Sequence, residues 1–346
     1  MGISTYQTEK YFKLIRDDDE YVHLSRGFLE PLITFFKEKK IKYAITDERE
    51  MRRTVTFSSK INLYEYQQQA LAAIETKDVG VIVAPPGAGK TVLGLELVAI
   101  KAQPTLIIVH RKQLFDQWIE RIQAFLGIPK NQIGQIAGNK KQLGKEITVA
   151  MMQSLIKMEN IKSFADSFGT LIVDECHHIP AKTFRELIVK FTPYYLYGLT
   201  ATPKRKYNDE KLIYYYIGDI LYEVAQNQIS EKHETEQKLH IQETALSVPF
   251  DYKTDTFETF SKILIYDTKR NQLIADDIVK EVTNGRKVLI LTERKEHVEV
   301  LNLYLKAKSE VITLTGDDAP GRRKVKMDQI TQGTFSGSAY HRTTAG

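Results

Sequence analysis

Short apolar runs punctuate the first two thirds of the chain at 79–84, 105–109, 147–151, 170–173 and 196–199, each rich in Val, Ile or Leu and apolar on both alternating faces. Strands of that kind belong to a parallel sheet covered by helices on each side. Between them the pattern changes to a period near 3.6, and 92–100 and 114–125 each predict a helix. In the second, Leu114, Phe115, Trp118, Ile119, Ile122 and Phe125 share one stripe, so Trp118 is expected in the core and not as a ligand platform. Alternating strand and helix over 62–204 predicts a doubly wound α/β domain.

On either side the pattern is thinner. Phe28, Leu29, Leu32, Ile33 and Phe36 repeat at helical spacing, between extended stretches at 21–24 and 41–45. These predict a small α+β module over 1–57, with the acidic run 17–20 as a solvated turn. The large domain then runs over 58–224, followed by a polar connector over 225–245. A second α/β pattern occupies 246–335: helix 271–282, strand 287–292, helix 298–305, strand 311–314 and helix 322–330. Two clear strands make an incomplete second lobe. Residues 336–346 lose periodicity and are expected to be irregular. Back-translation with a one-base shift turns this tail into Gln-Val-Leu-Leu-Ile-Thr-Gly-Gln-Leu-Leu, a buried-strand pattern, so an interrupted reading frame stands as an alternative origin for it.

Composition narrows the class. With 49 Lys and Arg against 44 Asp and Glu in 346 residues, the formal charge of +5 permits a nucleic-acid partner. One cysteine, Cys176, excludes a disulfide scaffold and a multi-thiolate zinc site, and suits a reducing compartment. The start lacks a signal peptide's apolar segment, and no run approaches the ~18 apolar residues of a membrane span, so a cytoplasmic protein is expected.

The chemistry sits at the strand ends. The first strand runs into Ala84-Pro85-Pro86-Gly87-Ala88-Gly89-Lys90-Thr91, with a helix after it. Small residues let backbone N–H groups turn around phosphates, and the helix N-terminus adds positive potential. Pro86, Gly87, Ala88, Gly89, Lys90 and Thr91 are therefore the expected cradle for ATP, with Lys90 on the β- and γ-phosphates and the Thr91 hydroxyl on Mg²⁺. Ala84 replaces the first glycine of the strict pattern. The strand 170–173 ends in Asp174-Glu175-Cys176-His177-His178. Asp174 is expected on the metal side and Glu175 as the group that polarises the attacking water. Cys176, His177 and His178 as a metal site is the competing reading, disfavoured because consecutive side chains diverge.

APPGAGKT, DECH and Gly198-Leu199-Thr200-Ala201-Thr202-Pro203, in this order and spacing, resemble motifs I, II and III of the superfamily 2 helicases and translocases. The DECH and TAT forms are similar to the branch holding XPB-like helicases, UvsW-type enzymes and type III restriction subunits. The resemblance implies a RecA-like P-loop fold and an ATPase that moves on or unwinds DNA, single- or double-stranded, without sequence specificity and with 3′-to-5′ polarity. It also implies that His177, Thr200 and Thr202 couple nucleotide state to DNA. Leu63-Tyr64-Glu65-Tyr66-Gln67 resembles the segment whose glutamine reads adenine, which implies that role for Gln67, although Tyr64 and Glu65 depart from the pattern. Segments at 107–114, 148–155 and 287–294 resemble the next motifs, implying nucleic-acid contacts for Arg111, Gln153, Ser154 and Arg294. For each, a solvated surface side chain is the plainer alternative. The N-terminal module is similar to one preceding XPB-like cores, where DNA contact and packing are equal alternatives.

That family carries a closing Gly-Arg-x-x-Arg motif which the chain does not show, since Gly321-Arg322-Arg323 lies too near motif IV. Hydrolysis is accordingly expected to be weak unless a partner completes the second lobe or supplies an arginine. The rival functions are a non-catalytic, ATP-dependent DNA clamp and an RNA helicase.

Overall fold

The computed structural model describes residues 15–17, 21–47, 49–178, 182–202, 211–226, 228, 238–246, 256–332 and 338–341. Most of the acidic run, Pro203, residues 229–237 of the connector, and the tail apart from 338–341 lie outside the described residues. The chain divides into two compact units, Met1–Glu236 and Gln237–Gly346.

In the first unit, β1 (Ile15–Asp17) and β2 (Val22–Leu24) form an antiparallel pair, followed by α1 (Leu29–Glu38). The expected strand over 41–45 takes no regular structure. Lys40 turns back with φ 56, Ile41 donates to the Phe36 carbonyl, and Tyr43 packs on the Phe36 ring at 5.3 Å, so this segment folds over its own helix instead of pairing.

The main sheet contains β3 (Val79–Val83), β4 (Thr105–Val109), β5 (Gly134–Ala137), β6 (Lys140–Gln142), β7 (Ile147–Met151), β8 (Thr170–Asp174), β9 (Tyr195–Thr200) and β10 (Ile220–Glu223). Its order is β10-β3-β9-β8-β4-β7-β5-β6, parallel throughout except for the β5–β6 hairpin. Side chains alternate between two cores. Ile82, Ile107, Val149, Ile172 and Leu199 face one, and Val81, Leu106, Ala150, Leu171 and Leu196 face the other. The first core is roofed by α2 (Glu65–Ile74), α3 (Lys90–Lys101) and α4 (Lys112–Leu126). The second is roofed by α5 (Met152–Ile156), α6 (Ile161–Ala165), α7 (Lys182–Ile188) and α8 (Lys211–Ile217). Burial on both faces explains why the strands carry no polar alternation.

The N-terminal module docks at the amino ends of these strands. Both Arg26 guanidinium NH groups donate to the carbonyls of Pro193 and Tyr194, just before β9. Gly27 lies against α8, where a Cβ would fall 1.9 Å from the Tyr214 carbonyl oxygen. Residues 52–60 then strap the unit, with Val55 donating to the Ala102 carbonyl and Lys60 to that of Phe125.

In the second unit, helices Phe257–Tyr266, Thr268–Thr283, Lys295–Leu305 and Pro320–Gln332 accompany β11 (Leu289–Thr292), β12 (Ile312–Leu314) and β13 (Ser338–His341). β13 lies inside the stretch expected to be irregular. It is the middle strand of the order β11-β13-β12, parallel to both neighbours, because its backbone satisfies two otherwise open edges.

Candidate functional site

Strand order assembles the site. Because β9 lies between β3 and β8, the loops after β3, β9 and β8 meet at the carboxyl edge of the sheet. Ala84 donates to the Thr200 carbonyl, fixing the start of the loop to β9. Gly87 (φ 85) and Gly89 (φ 78) take left-handed backbone that other residues adopt at a cost, and Gly89 caps α3, whose first residue is Lys90. The first N–H groups of α3 therefore open onto the loop, as an anion cradle requires, while Pro86 and Gly87 stand exposed and Ala88 packs beneath. Gln67 lies under the same loop. Its Nε2 donates to the Ala88 carbonyl at 3.1 Å, its Oε1 accepts the Tyr64 N–H at 3.0 Å, and the side chain is buried. Here Gln67 braces the cradle.

At the end of β8, both Asp174 oxygens are engaged: Oδ1 accepts the Glu175 N–H at 2.9 Å, and Oδ2 accepts the Trp118 indole N–H at 2.8 Å. Burial pushes the Asp174 carboxyl up, while the Trp118 hydrogen bond opposes the rise. Glu175 carries φ 51, a strained conformation for a side-chain-bearing residue. Burial would raise its carboxyl too, but the hydrogen bond from His177 and the charge of Lys90 together hold it down at about 2. Lys90 Nζ lies 3.5 Å from Glu175 Oε1. His177 Nδ1 lies 3.2 Å from Glu175 Oε2 and 3.1 Å from Thr200 Oγ1. Since the Thr200 hydroxyl donates to the Thr202 carbonyl at 3.3 Å, its lone pairs face His177, and one Nδ1–H serves both acceptors. The expected catalytic and coupling residues Lys90, Glu175, His177, Thr200 and Thr202 thus form one connected array.

Consecutive side chains in DECH do diverge. Cys176 is fully buried, with its thiol pushed up by burial, and His178 packs against His110 with ring centroids 4.0 Å apart and the rings tilted by 51°. Among the described residues, no group of three or more His, Cys, Asp or Glu is placed to hold a metal ion. Thr91, in the first turn of α3, and Asp174, at the end of β8, are the residues expected on Mg²⁺.

A second feature lies farther along the same carboxyl edge. Lys112, Asn139, Lys141, Gln153, Ser154 and Lys157 line a groove of about 940 Å³. Gln153 donates to the His110 carbonyl and Ser154 Oγ accepts the Gly138 N–H, so the loops after β4, β5 and β7 are tied together. Arg111 is exposed beside them and caps α4. In the second unit Arg294 occupies the matching local position, between β11 and the helix Lys295–Leu305 that it caps.

Residues 60–205 match the family model for the type III restriction enzyme, res subunit. Over these residues the chain is similar to proteins named as DNA helicases and translocases. The DNA 3'-5' translocase XPB2 of Sulfurisphaera tokodaii is 33% identical over 212 residues, covering 59% of this chain and 47% of that protein. The DNA 3'-5' helicase XPB of Mycobacterium tuberculosis is 29% identical over 167 residues, 46% of this chain and 30% of that protein. The chain thus spans about half or less of these relatives' length. The helicase domain of Pyrococcus furiosus Hef shares the fold with a TM-score of 0.51 at 12% identity, over 80% of this chain and 85% of that one.

Two features of this site were not legible in sequence. The groove lysines lie on different loops, and only the cluster Lys140-Lys141 hinted at them. Trp118 is in the core as its stripe predicts, 1% exposed, yet it also donates to a motif II carboxylate.

Proposed function

We propose that the chain is the ATPase core of a DNA helicase or translocase that couples ATP hydrolysis to movement along, or unwinding of, DNA. The observation that carries this reading is the connected array Lys90–Glu175–His177–Thr200, built from three neighbouring strand ends beside a glycine-formed phosphate cradle. In this reading Pro86 to Gly89 and Lys90 bind the phosphates, drawing Lys90 away from Glu175. Thr91 and Asp174 hold Mg²⁺, which when bound neutralises phosphate charge. Glu175, ionised at neutral pH, orients the attacking water and accepts its proton as the water oxygen bonds to the γ-phosphorus and ADP leaves. His177 senses the state of Glu175 and passes it to Thr200 and Thr202. Gln67 reads adenine once its amide exchanges the Ala88 carbonyl for the base.

Arg111, Gln153, Ser154 and Arg294, with the groove lysines, contact the phosphate backbone, which positions DNA without reading its sequence. A cytoplasmic protein is part of this reading. So is a protein partner for the second unit, supported by Leu289 and Leu291 standing 56% and 65% exposed on β11.

Steady-state ATPase activity with Mg²⁺, alone and with duplex DNA, single-stranded DNA or RNA at fixed salt, tests the proposal. Weak turnover stimulated by DNA is expected, in keeping with the missing arginine motif, and lost in Lys90→Ala together with nucleotide binding. In Glu175→Gln turnover falls by about 10²–10⁴ with binding retained. Binding without turnover would replace the motor with an ATP-dependent clamp, and stimulation by RNA alone would make the substrate RNA.

A further inference from the structure

Trp118 is the chain's single tryptophan. It lies on α4, 1% exposed, in the core between the helices and the sheet. A buried indole needs an acceptor for its N–H, and most of the surrounding side chains are aliphatic. The acceptor is Asp174 Oδ2 at 2.8 Å, a residue 56 positions away and on the end of β8. The seat of the ring is shaped for it. A Cβ on Gly94 of α3 would fall 2.9 Å from Trp118 Cη2 and 3.1 Å from Leu199 Cδ1, so glycine there gives the indole the room to reach the carboxylate. The other oxygen, Oδ1, is held by the Glu175 backbone N–H at 2.9 Å. Two donors, one on α4 and one in the turn just after β8, therefore restrict the carboxylate to one orientation.

We propose that Trp118 is a positioning residue for the ATPase site: its indole N–H locks the Asp174 carboxylate in the orientation that receives the hydrated magnesium ion. The proposal rests on the ATPase reading above. Outer partners of this kind typically change metal affinity or activity by about 10–100-fold. Packing alone would leave magnesium affinity untouched.

The single indole gives one side-chain N–H resonance, so the ¹⁵N-labelled full chain reports on this contact directly. Asp174→Asn is expected to shift that resonance without nucleotide, and Mg²⁺ added to the ADP complex is expected to shift it in the wild type but not in Asp174→Asn. Trp118→Phe keeps most of the ring and loses the donor. With its melting curve close to wild type, it is expected to bind a fluorescent ADP analogue without Mg²⁺ as the wild type does. Its half-saturating Mg²⁺ should rise about 10-fold or more, and kcat should fall while KM for ATP holds. An indole resonance indifferent to both Asp174→Asn and Mg²⁺, or an unchanged Mg²⁺ requirement in folded Trp118→Phe, overturns the proposal. The resonance experiment needs no Trp118 variant, so a Trp118→Phe chain that fails to fold leaves it decisive. Wild type that binds no nucleotide at all would overturn the ATPase reading, and this inference with it.

Discussion

Gly89 sits where backbone conformation and space both exclude a side chain: φ is 78, and a Cβ would lie 2.5 Å from Gln67 Nε2. Gly89→Ala is therefore expected to cost about 1–2 kcal/mol of stability from the left-handed conformation. By displacing the Gln67 brace, it should also weaken nucleotide binding about tenfold; thermal melts and a fluorescent-ADP titration read the two effects separately. Cys176 illustrates the opposite situation, a buried residue beside the groups proposed as catalytic. It is fully buried, and a Cβ on Gly198 would lie 2.8 Å from its sulfur. Burial holds the thiol well above the ordinary cysteine range, so the reactive thiolate is suppressed. Iodoacetamide should label it at least about 10³-fold more slowly in the native chain than in denaturant, by mass spectrometry. Rapid native labelling would show that β8 and β9 open locally. Of this site, the P-loop and DECH residues were legible because their chemistry is local: a strand, a turn of small residues, a helix. The brace and the indole donor were not, since nothing in residues 63–67 or 114–125 names a partner.

At the scale of elements, the N-terminal module is held by Arg26 together with Arg49, which bonds Tyr194 and Asp78, and by Phe28 against Tyr215. Burial brings the Arg26 guanidinium down to about 10, and its two donors serve carbonyls 167 and 168 residues away. Arg26→Met leaves those carbonyls without that donor, at a cost of about 1–3 kcal/mol. Amide exchange should accelerate over 21–40 while β3 and β4 remain protected; uniform exchange would show that the module folds with the sheet as one block. In the second unit His297 is buried, with Nδ1 2.9 Å from Thr292 Oγ1 and Nε2 3.1 Å from Asn271 Oδ1. Burial, with the nearby Arg270 charge, lowers its pKa from 6.5. The unfolded chain therefore binds the proton first: the contribution of this neutral imidazole to stability is complete above about pH 6.5 and is lost as pH falls through the folded-state value. Melts of the second unit should weaken between pH 7.5 and 5.5, and His297→Gln should flatten that dependence.

For the whole molecule, the two units have unequal cores. The first has apolar layers on both sheet faces, whereas among the described residues of the second the buried apolar cluster is Ala275, Ile278 and Leu305, with Ile265, Val298, Leu301 and Leu314 also buried. Calorimetry should then show two transitions, the lower from Gln237–Gly346 and separated by roughly 5 °C or more. Because the single tryptophan lies in the first unit, its emission should follow only the upper transition. One coincident transition in both signals would mean that the units fold together. No helix among the described residues is long and apolar enough to cross a membrane.

The sequence by itself determined five strands of the main sheet, the helices following two of them, and the P-loop-like and DECH segments, but not β5, β6 or β10. Each is written in side-chain periodicity or turn chemistry over a few neighbouring positions. It placed Trp118 in the core but could not say what its N–H faces. The tertiary structure decided that β9 lies between β3 and β8, which brings Thr200 to His177 and completes the array. It also decided the Arg26 clamp, the Gln67 brace, the Trp118 contact with Asp174 and the insertion of β13. These contacts join residues between 21 and 168 positions apart. Periodicity tells a helix which face to bury, but which carboxylate or carbonyl meets that face depends on how the sheet is wound.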